Sequence, residues 1–360
     1  MTNSITNRQL FFILFITLTT YNTIDLPHSM AQAAGRSSWI PIICTSIIFS
    51  VAALIITKLN NMFLGKVFFD YSKEIVGKFF TYIIAVYFIL FYLTIGIYLK
   101  LKMVGLLTSN FLPKTPEFVF LLFVIALFAY VSYKGITNIA RIFEIYGVSF
   151  LIITLLICVL MVAGGTKYNV LPFFNVSEVK EYAKTIKGLF ISFGGIEILF
   201  IIPFSAKNKK APKTAFFTML FIGLFYVLIV ESTIMILGLN NTILLNDSFI
   251  EALKITEAPV IERLDIFYLT FGLASLFSGM IIVNAAVVEF ACKIFSKIKR
   301  HIIIIVISVV YFILCMLALN MKNIGKIYES FIFYLILISD FFIPIIVFII
   351  AKIRKHKKHN

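Results

Sequence analysis

The sequence has few of the residues that cover the surface of a water-soluble protein. Only 14% of its 360 residues are charged, whereas an average soluble domain contains roughly 25%. No charged stretch is long enough to fold as a separate soluble domain. The scarcity of charge therefore excludes a soluble globular protein.

The sequence also lacks the patterns that mark redox, metal and catalytic sites. The four cysteines lie in or beside apolar runs without a C-x-x-C pair, so we expect small buried hydrophobic residues rather than disulfides or ligands. The four histidines show no ligand spacing, and no nucleophile elbow, P-loop, dinucleotide fingerprint or zinc motif is present. We therefore predict no metal, no cofactor and no enzymatic activity.

Long apolar runs dominate what is present. Hydrophobic residues make up 61% of the chain and the mean hydropathy is +1.03, which indicates a polytopic membrane protein with room for about ten helices. The first run carries Asp25 and Pro27 and lacks a basic start and a small-residue cleavage site, so we interpret it as a membrane helix rather than a signal peptide. Residues 1–360 are expected to form a single membrane domain.

The apolar runs and the short polar connections between them define an even number of spans. The predicted helices lie near 10–33, 39–57, 79–107, 118–133, 141–163, 185–204, 214–238, 266–290, 302–320 and 331–351.

The distribution of positive charge predicts the orientation. One set of alternate loops, together with a basic tail at 352–360, holds 20 of the 32 lysines and arginines, which leaves 12 for the rest of the chain. By the positive-inside rule both termini are therefore cytoplasmic. The net charge of +15 is spread over these loops, and this spread favours attraction to anionic lipid headgroups over nucleic-acid binding.

The sixth apolar run contains its own break. The segment Thr185–Phe204 reads TIKGLFISFGGIEILFIIPF, so Gly194 and Gly195 interrupt it and Glu197 follows directly. Glycine weakens a helix by about 1 kcal/mol, and a charged side chain at the bilayer centre costs at least roughly 2.5 kcal/mol. Such a break is typical of a discontinuous helix that lines a small-molecule site.

The first run is interrupted in a corresponding way. Residues 19–27 read TTYNTIDLP, with polar and helix-terminating residues inside an apolar segment. Breaks at equivalent positions of two halves are a pointer to an inverted repeat. We therefore predict a five-plus-five inverted repeat with broken helices 1 and 6, in which the first repeat covers about 10–163 and the second about 185–351.

Several segments resemble one known family. They are FGGIE at 193–197 followed by Pro203, LPKTP at 112–116 after the third span, VIERLD at 260–265 before the eighth, and Ser38-Trp39 at the start of the second. Their order and spacing resemble the B-subunit family of spore-germination nutrient receptors, within the amino acid–polyamine–organocation transporter superfamily.

The resemblance implies a fold and a role. The expected fold is the ten-helix fold of sodium-coupled amino acid symporters. The expected role is a membrane subunit that senses a germinant together with a larger A subunit and a lipoprotein C subunit in the spore inner membrane. The first break departs from the superfamily pattern, because Thr20-Tyr21-Asn22 stands where a Gly-x-Gly is common. The hydroxyls and the amide could replace the missing backbone contacts or narrow the pocket.

The resemblance also implies which residues line the ligand site. Freed backbone groups at the two breaks would contact an amino acid zwitterion, and side chains of the third, eighth and tenth spans would complete the walls. Ordinary packing or lipid contact is the alternative for the wall residues. The predicted site consists of Thr20, Ile24, Phe91, Ile95, Gly194, Gly195, Glu197, Ser278 and Leu337.

The acids within the predicted spans have structural or functional interpretations. Glu197 would hold the broken helix or pair with a ligand ammonium, and Asp25 would cap the second half of the first helix. Glu231 and Asp340 are either proton or cation relays or members of structural pairs.

Two functions follow from one predicted fold. The first is a receptor subunit that binds a small nutrient, with an amino acid as the expected class, and triggers germination. The second is a proton- or cation-coupled amino acid transporter, and one sequence does not separate sensing from transport.

Overall fold

A computed structural model describes residues 5–110, 114–172, 179–205, 208–256, 263–319 and 331–357, and helices account for most of them. For residues 20–22, 109–110, 179–181 and 355–357, the structure describes the backbone but not the side chains. The helices are α1 (Asn7–Ala34), α2 (Trp39–Met62), α3 (Phe68–Ile75), α4 (Lys78–Asn110), α5 (Glu117–Lys134), α6 (Ile136–Gly164), α7 (Val179–Phe193), α8 (Ala211–Leu237), α9 (Leu239–Leu244), α10 (Ser248–Ile255), α11 (Leu264–Ile294), α12 (Arg300–Leu319) and α13 (Phe331–Arg354).

The membrane-spanning helices match the predicted architecture. Among the described residues, eight helices are long and apolar enough to cross a membrane, and the bent helix α1 makes a ninth. The remaining predicted span, 185–204, is divided into α7 and a 3₁₀ segment (Ile196–Ile201). The prediction of an all-α membrane fold with about ten spans and broken helices 1 and 6 is confirmed.

Helix α1 begins with a capping box and bends in its middle. The Thr6 hydroxyl accepts a hydrogen bond from the Gln9 amide at 3.2 Å, and the Gln9 side chain accepts one from the Thr6 amide at 3.0 Å. The parts Asn7–Thr19 and Thr23–Ser37 differ in direction by 58°. Pro27 contributes to the bend, because it has no amide hydrogen to donate to the preceding turn.

Helix α1 occupies the centre of the bundle. It packs against α6, α7, α8 and α11, and it also contacts α9 and α10. Helix α8 lies against both α1 and α2, while α4 lies against α11. The bend of α1 therefore falls where several helices meet.

Three short helices, α3, α9 and α10, were not part of the predicted spans. Helix α3 buries Phe68, Phe69 and Tyr71 on one face and leaves charged residues on the other. Helices of six to eight residues are too short to register in a search for membrane-length apolar runs. Each of them packs against membrane-spanning helices.

Candidate functional site: a cavity between the two breaks

A cavity of about 750 Å³ lies beside the two breaks. Residues of α1, α4, α7, α11 and α13 line it, from Leu18 and Gly195 at the breaks to Gln32 and Lys184 near one end of the bundle. The volume falls within the range of roughly 300–1,000 Å³ that is usual for small-molecule sites. We refer to the end of the bundle near Gln32 and Lys184 as the mouth end.

The geometry of the sixth-span break requires glycine. Gly195 has a φ of 131°, which side-chain-bearing residues rarely adopt. A Cβ at Gly195 would lie 3.3 Å from Thr17 Cγ2, and a Cβ at Gly194 would lie 2.6 Å from Ile336 Cδ1. Both glycines therefore allow the backbone of the break to approach its neighbours closely.

A tyrosine of α8 connects the two breaks. The Tyr226 hydroxyl lies 2.7 Å from the Leu18 carbonyl oxygen in α1 and 3.1 Å from the Ser192 carbonyl oxygen in α7. One hydroxyl has a single proton, so the two carbonyl groups share this donor. The contact holds the first and sixth spans in register where both depart from regular helix.

Five of the predicted site residues line the cavity. Phe91 and Ile95 contribute from α4, while Gly194, Gly195 and Glu197 contribute from the break in the sixth span. The structure therefore brings together the residues predicted for the third and sixth spans. Their role in ligand binding remains a prediction.

The other predicted residues lie elsewhere. Ile24 is buried beside the lining residue Asp25, and Leu337 is half-buried beside the lining residue Ile336. Ser278 donates its hydroxyl to the Ala274 carbonyl oxygen at 2.8 Å within its own helix. The side chain of Thr20 lies outside the described residues. Neighbouring helical positions point about 100° apart, which explains how an adjacent residue takes the lining position.

Several polar residues that were not among the predicted site residues also line the cavity. Asp25 and Ser29 come from α1, and Lys184 and Lys187 come from α7. The Lys187 ammonium nitrogen lies 4.9 Å from the centre of the Phe333 ring. The lining positions 184, 187, 188, 191 and 195 follow a helical spacing, so extending that spacing back from the break would have found both lysines.

An acidic side chain outside the spans lies close to Asp25. Burial raises the pKa of Asp247, which precedes α10, and the nearby carboxylates of Asp25 and Glu251 raise it further. The carboxyl of Asp247 is therefore less easily ionised than one in water.

The carboxyl groups of Glu197 and Asp340 are adjacent in the interior. Asp340 belongs to a π turn (Leu337–Phe342) in α13, and this turn packs against the 3₁₀ segment that carries Glu197. Glu197 is 3% exposed and Asp340 is fully buried. A structural pair was one of the two expectations for Asp340, but its partner could not be predicted from the sequence, because Glu197 lies on a different span.

Ion pairs between helices lie at the opposite end of the bundle, and we refer to it as the basic end. Ion pairs connect Arg8 of α1 to Glu144 of α6, Asp70 of α3 to Lys293 of α11, and Glu289 of α11 to Arg300 of α12, at 3.0, 2.6 and 2.7 Å. These pairs join different helices. None of these six residues lines the cavity, whose lining extends from the breaks toward the mouth end.

A cavity between two broken helices in an all-helical membrane bundle is the arrangement of a transporter-like fold. Two solved structures share this fold. One is Mhp1, a nucleobase-cation-symport-1 family transporter in a closed conformation with bromovinylhydantoin bound (TM-score 0.65, 14% identity, 93% of this chain and 76% of that chain). The other is a Na⁺-coupled sialic acid symporter in a substrate-bound outward-open state (TM-score 0.62, 14% identity, 94% and 79%).

Comparison of sequences identifies the family. The family model described as spore germination protein matches residues 4–324, so the chain belongs to the spore germination protein family. Spore germination protein YndE of Bacillus subtilis (strain 168) is 24% identical over 319 residues, which are 88% of each chain. Spore germination proteins A2 and B2 of the same organism are 23% and 24% identical, over 92% and 78% of this chain and 91% and 76% of their own. The resemblance found in the sequence is confirmed.

Proposed function

We propose that this chain is the membrane subunit of a spore germinant receptor that binds a small nutrient, with an amino acid as the expected class, and triggers germination. The observation that carries the proposal is the cavity between the two broken spans in a chain of the spore germination protein family. In transporter folds, such breaks line small-molecule sites.

The chemistry of the lining supports an amino acid ligand. The carboxyl groups of Glu197 and Asp25 are acceptors for an ammonium group, and Lys184 and Lys187 are donors for a carboxylate. Phe91, Ile95 and Phe333 supply apolar wall for a side chain. A zwitterion would thus find partners for both of its charges.

The setting of the receptor is also a proposal. The larger A subunit and the lipoprotein C subunit would receive the signal, and the complex would lie in the spore inner membrane with both termini of this chain in the cytoplasm. The basic tail at 352–360 and the basic loops support that orientation. We further propose that residues 10–163 and 185–351 form the two inverted repeats of one membrane domain.

Complementation of germination tests the receptor role. The chain and the genes that flank it would be expressed in spores that lack their own germinant receptors, and a panel of amino acids would be added. Germination that starts with one or a few amino acids and is lost in Gly195→Leu is expected. Gly105→Leu is the matched control, because Gly105 of α4 is exposed and a Cβ there would meet nothing within 4 Å. Spores with normal amounts of all subunits that respond to no nutrient would contradict the proposal.

A proton- or cation-coupled amino acid transporter is the alternative function. The fold shared with two symporters favours it. Purified protein in liposomes, given a proton or sodium gradient and radiolabelled amino acids, distinguishes the two functions. Accumulation against a gradient by this chain alone would replace the receptor proposal with the transporter.

A further inference from the structure

We propose that Glu197 and Asp340 form a proton-binding site that is reached from the cavity. One proton would be shared by the two carboxyl groups, on the oxygens that have no other partner. The site would exist whether the chain senses or transports, and only its effect on the nutrient response rests on the proposed function.

Two irregular backbone segments create this site. Glu197 follows the Gly194-Gly195 break, and Asp340 lies in the π turn of α13. π turns are rare in proteins, and those that occur often lie at functional sites. The two segments pack against each other, so the carboxyl groups meet at depth in the bundle. Glu197 also lines the cavity, and it therefore connects the pair with the ligand space.

The pair is incompletely hydrogen-bonded. The Ser339 hydroxyl donates to Asp340 Oδ1 at 3.0 Å, and the Gly195 amide lies beside both carboxyl groups. Within the described part of the chain, Glu197 Oε2 and Asp340 Oδ2 have no hydrogen-bond partner. Unpartnered buried carboxyl oxygens are costly, and a proton on either oxygen would let it donate to the other carboxyl.

Hydroxyl groups face the pair from α4. Tyr87 and Tyr92 lie near enough to interact electrostatically with both carboxyl groups. The Tyr87 hydroxyl donates to the Leu335 carbonyl oxygen at 2.6 Å, whereas the buried Tyr92 hydroxyl has no partner among the described residues. Tyr92 is therefore a further polar group that a proton or a water molecule at this site would satisfy.

The charged groups of the other neighbouring elements are directed elsewhere. Helices α2, α3 and α11 also pack against the 3₁₀ segment. Lys58 of α2 is exposed, while Asp70 of α3 and Lys293 of α11 pair with each other at the basic end. Across the described residues, the six ion pairs include neither Glu197 nor Asp340.

Electrostatics favours a shared proton over two charges. Two adjacent carboxylates in a buried site repel each other, and each would also lose its hydration. Holding one proton removes a charge and makes a hydrogen bond between the two groups. Aspartic-protease dyads show the same physical solution.

Infrared difference spectroscopy of the full chain in lipid nanodiscs tests the site without any ligand. We expect a carbonyl band of a protonated carboxyl that disappears as the pH rises, and that Glu197→Gln and Asp340→Asn both change. In Asp340→Asn the remaining band should disappear at a different pH from that of the wild type, because the two carboxyl groups no longer titrate as a pair. Asp340 does not line the cavity, so this variant leaves the ligand contacts in place.

Glu231→Gln is the matched control. Glu231 of α8 is buried and both of its carboxyl oxygens lack partners among the described residues, so the variant should remove only its own band and leave the titration of the pair unchanged. Thermal unfolding would establish that each variant is folded. A band unaffected by both pair variants, or independent titration of the two groups, would overturn the proposal.

Dependence on metal cations would also overturn the proposal. If the band at fixed pH changed with the concentration of sodium or potassium, the pair would be a metal-ion site instead. The infrared spectra are recorded without nutrient, so they test the proton site alone. Germination assays test the receptor role separately. With the receptor role intact, the pH profile of the germination response should shift in Asp340→Asn and not in Glu231→Gln.

Discussion

The mouth end and the basic end of the bundle use their charged side chains differently. At the basic end, Asp70 and Lys293 pair with each other across two helices. At the mouth end, Asp25, Lys184 and Lys187 line the cavity, and the six ion pairs of the described residues do not include them. Ion pairs between helices hold the helices together, whereas the charged groups that line the cavity are available to contact a ligand. We therefore infer that a ligand would enter the cavity from the mouth end.

The largest effect is expected when a side chain is placed at the sixth-span break, where Gly195 lines the cavity. Gly195→Leu would place a side chain at a φ of 131°, a sparsely populated conformation that costs roughly 1–3 kcal/mol. The side chain would also lie against Thr17, where overpacking costs about 1–3 kcal/mol more. We expect loss of the germination response.

Membrane abundance must be measured in parallel with germination, so that loss of binding is separated from loss of protein. Gly105→Leu should keep both quantities near wild type. Normal abundance of Gly195→Leu together with an unchanged nutrient concentration dependence would show that the cavity is not the nutrient site.

The next test removes the contact between the two breaks. Tyr226→Phe deletes the hydroxyl shared by the Leu18 and Ser192 carbonyl groups, and leaving buried acceptors without a donor costs about 1–3 kcal/mol. Thermal unfolding in detergent should show a lower Tm. Tyr182→Phe is the matched control, because the buried Tyr182 hydroxyl has no partner among the described residues. An equal Tm for both variants would show that the bridge does not stabilise the breaks.

A smaller effect is expected at the basic end. Asp70→Asn breaks the ion pair with Lys293, whose members are 36% and 39% exposed, and such pairs contribute roughly 0–1 kcal/mol. We expect up to about a five-fold shift in the nutrient concentration that gives half-maximal germination. The charge-reversed double variant Asp70→Lys with Lys293→Asp should restore the wild-type value. Failure of this rescue would show that the ion pair itself does not set the nutrient response.

The smallest effect concerns Asp247 at the mouth end. Burial and nearby carboxylates raise the pKa of Asp247 in the folded protein, so the folded state holds a proton that the unfolded state has released above about pH 4. The free energy of unfolding should therefore fall as pH rises from that value through the folded pKa, and Asp247→Asn should lose this dependence. Parallel curves of Tm against pH for the two proteins would contradict the prediction.

Backbone breaks could be predicted from local sequence. The Gly194-Gly195 pair and the polar residues 19–27 interrupt apolar runs, and a helix of membrane length cannot hide such residues. The lining of the cavity was predicted less completely. Phe91 and Ile95 are at its wall, but Asp25 and Ile336 take positions next to the predicted Ile24 and Leu337. A shift of one residue turns a helical side chain by about 100°, which sequence spacing alone does not fix.

A buried lysine illustrates what only packing decides. Lys100 of α4 is 1% exposed, and its ammonium nitrogen lies 3.6 Å from the centre of the Tyr311 ring in α12 and 5.2 Å from that of Phe128 in α5. In a membrane helix, a lysine is usually expected to extend toward the interface. The aromatic partners come from distant parts of the chain, so no local sequence pattern predicts their contact with Lys100.

The sequence by itself determined the membrane class, the number of spans, the two breaks and the family, because hydropathy, glycine placement and short motifs are local properties of the chain. The tertiary structure decided which side chains face the cavity, that Tyr226 connects the two breaks, and that Glu197 meets Asp340. These contacts depend on the rotation and depth of helices that are far apart in the chain. Packing of the whole bundle sets both quantities.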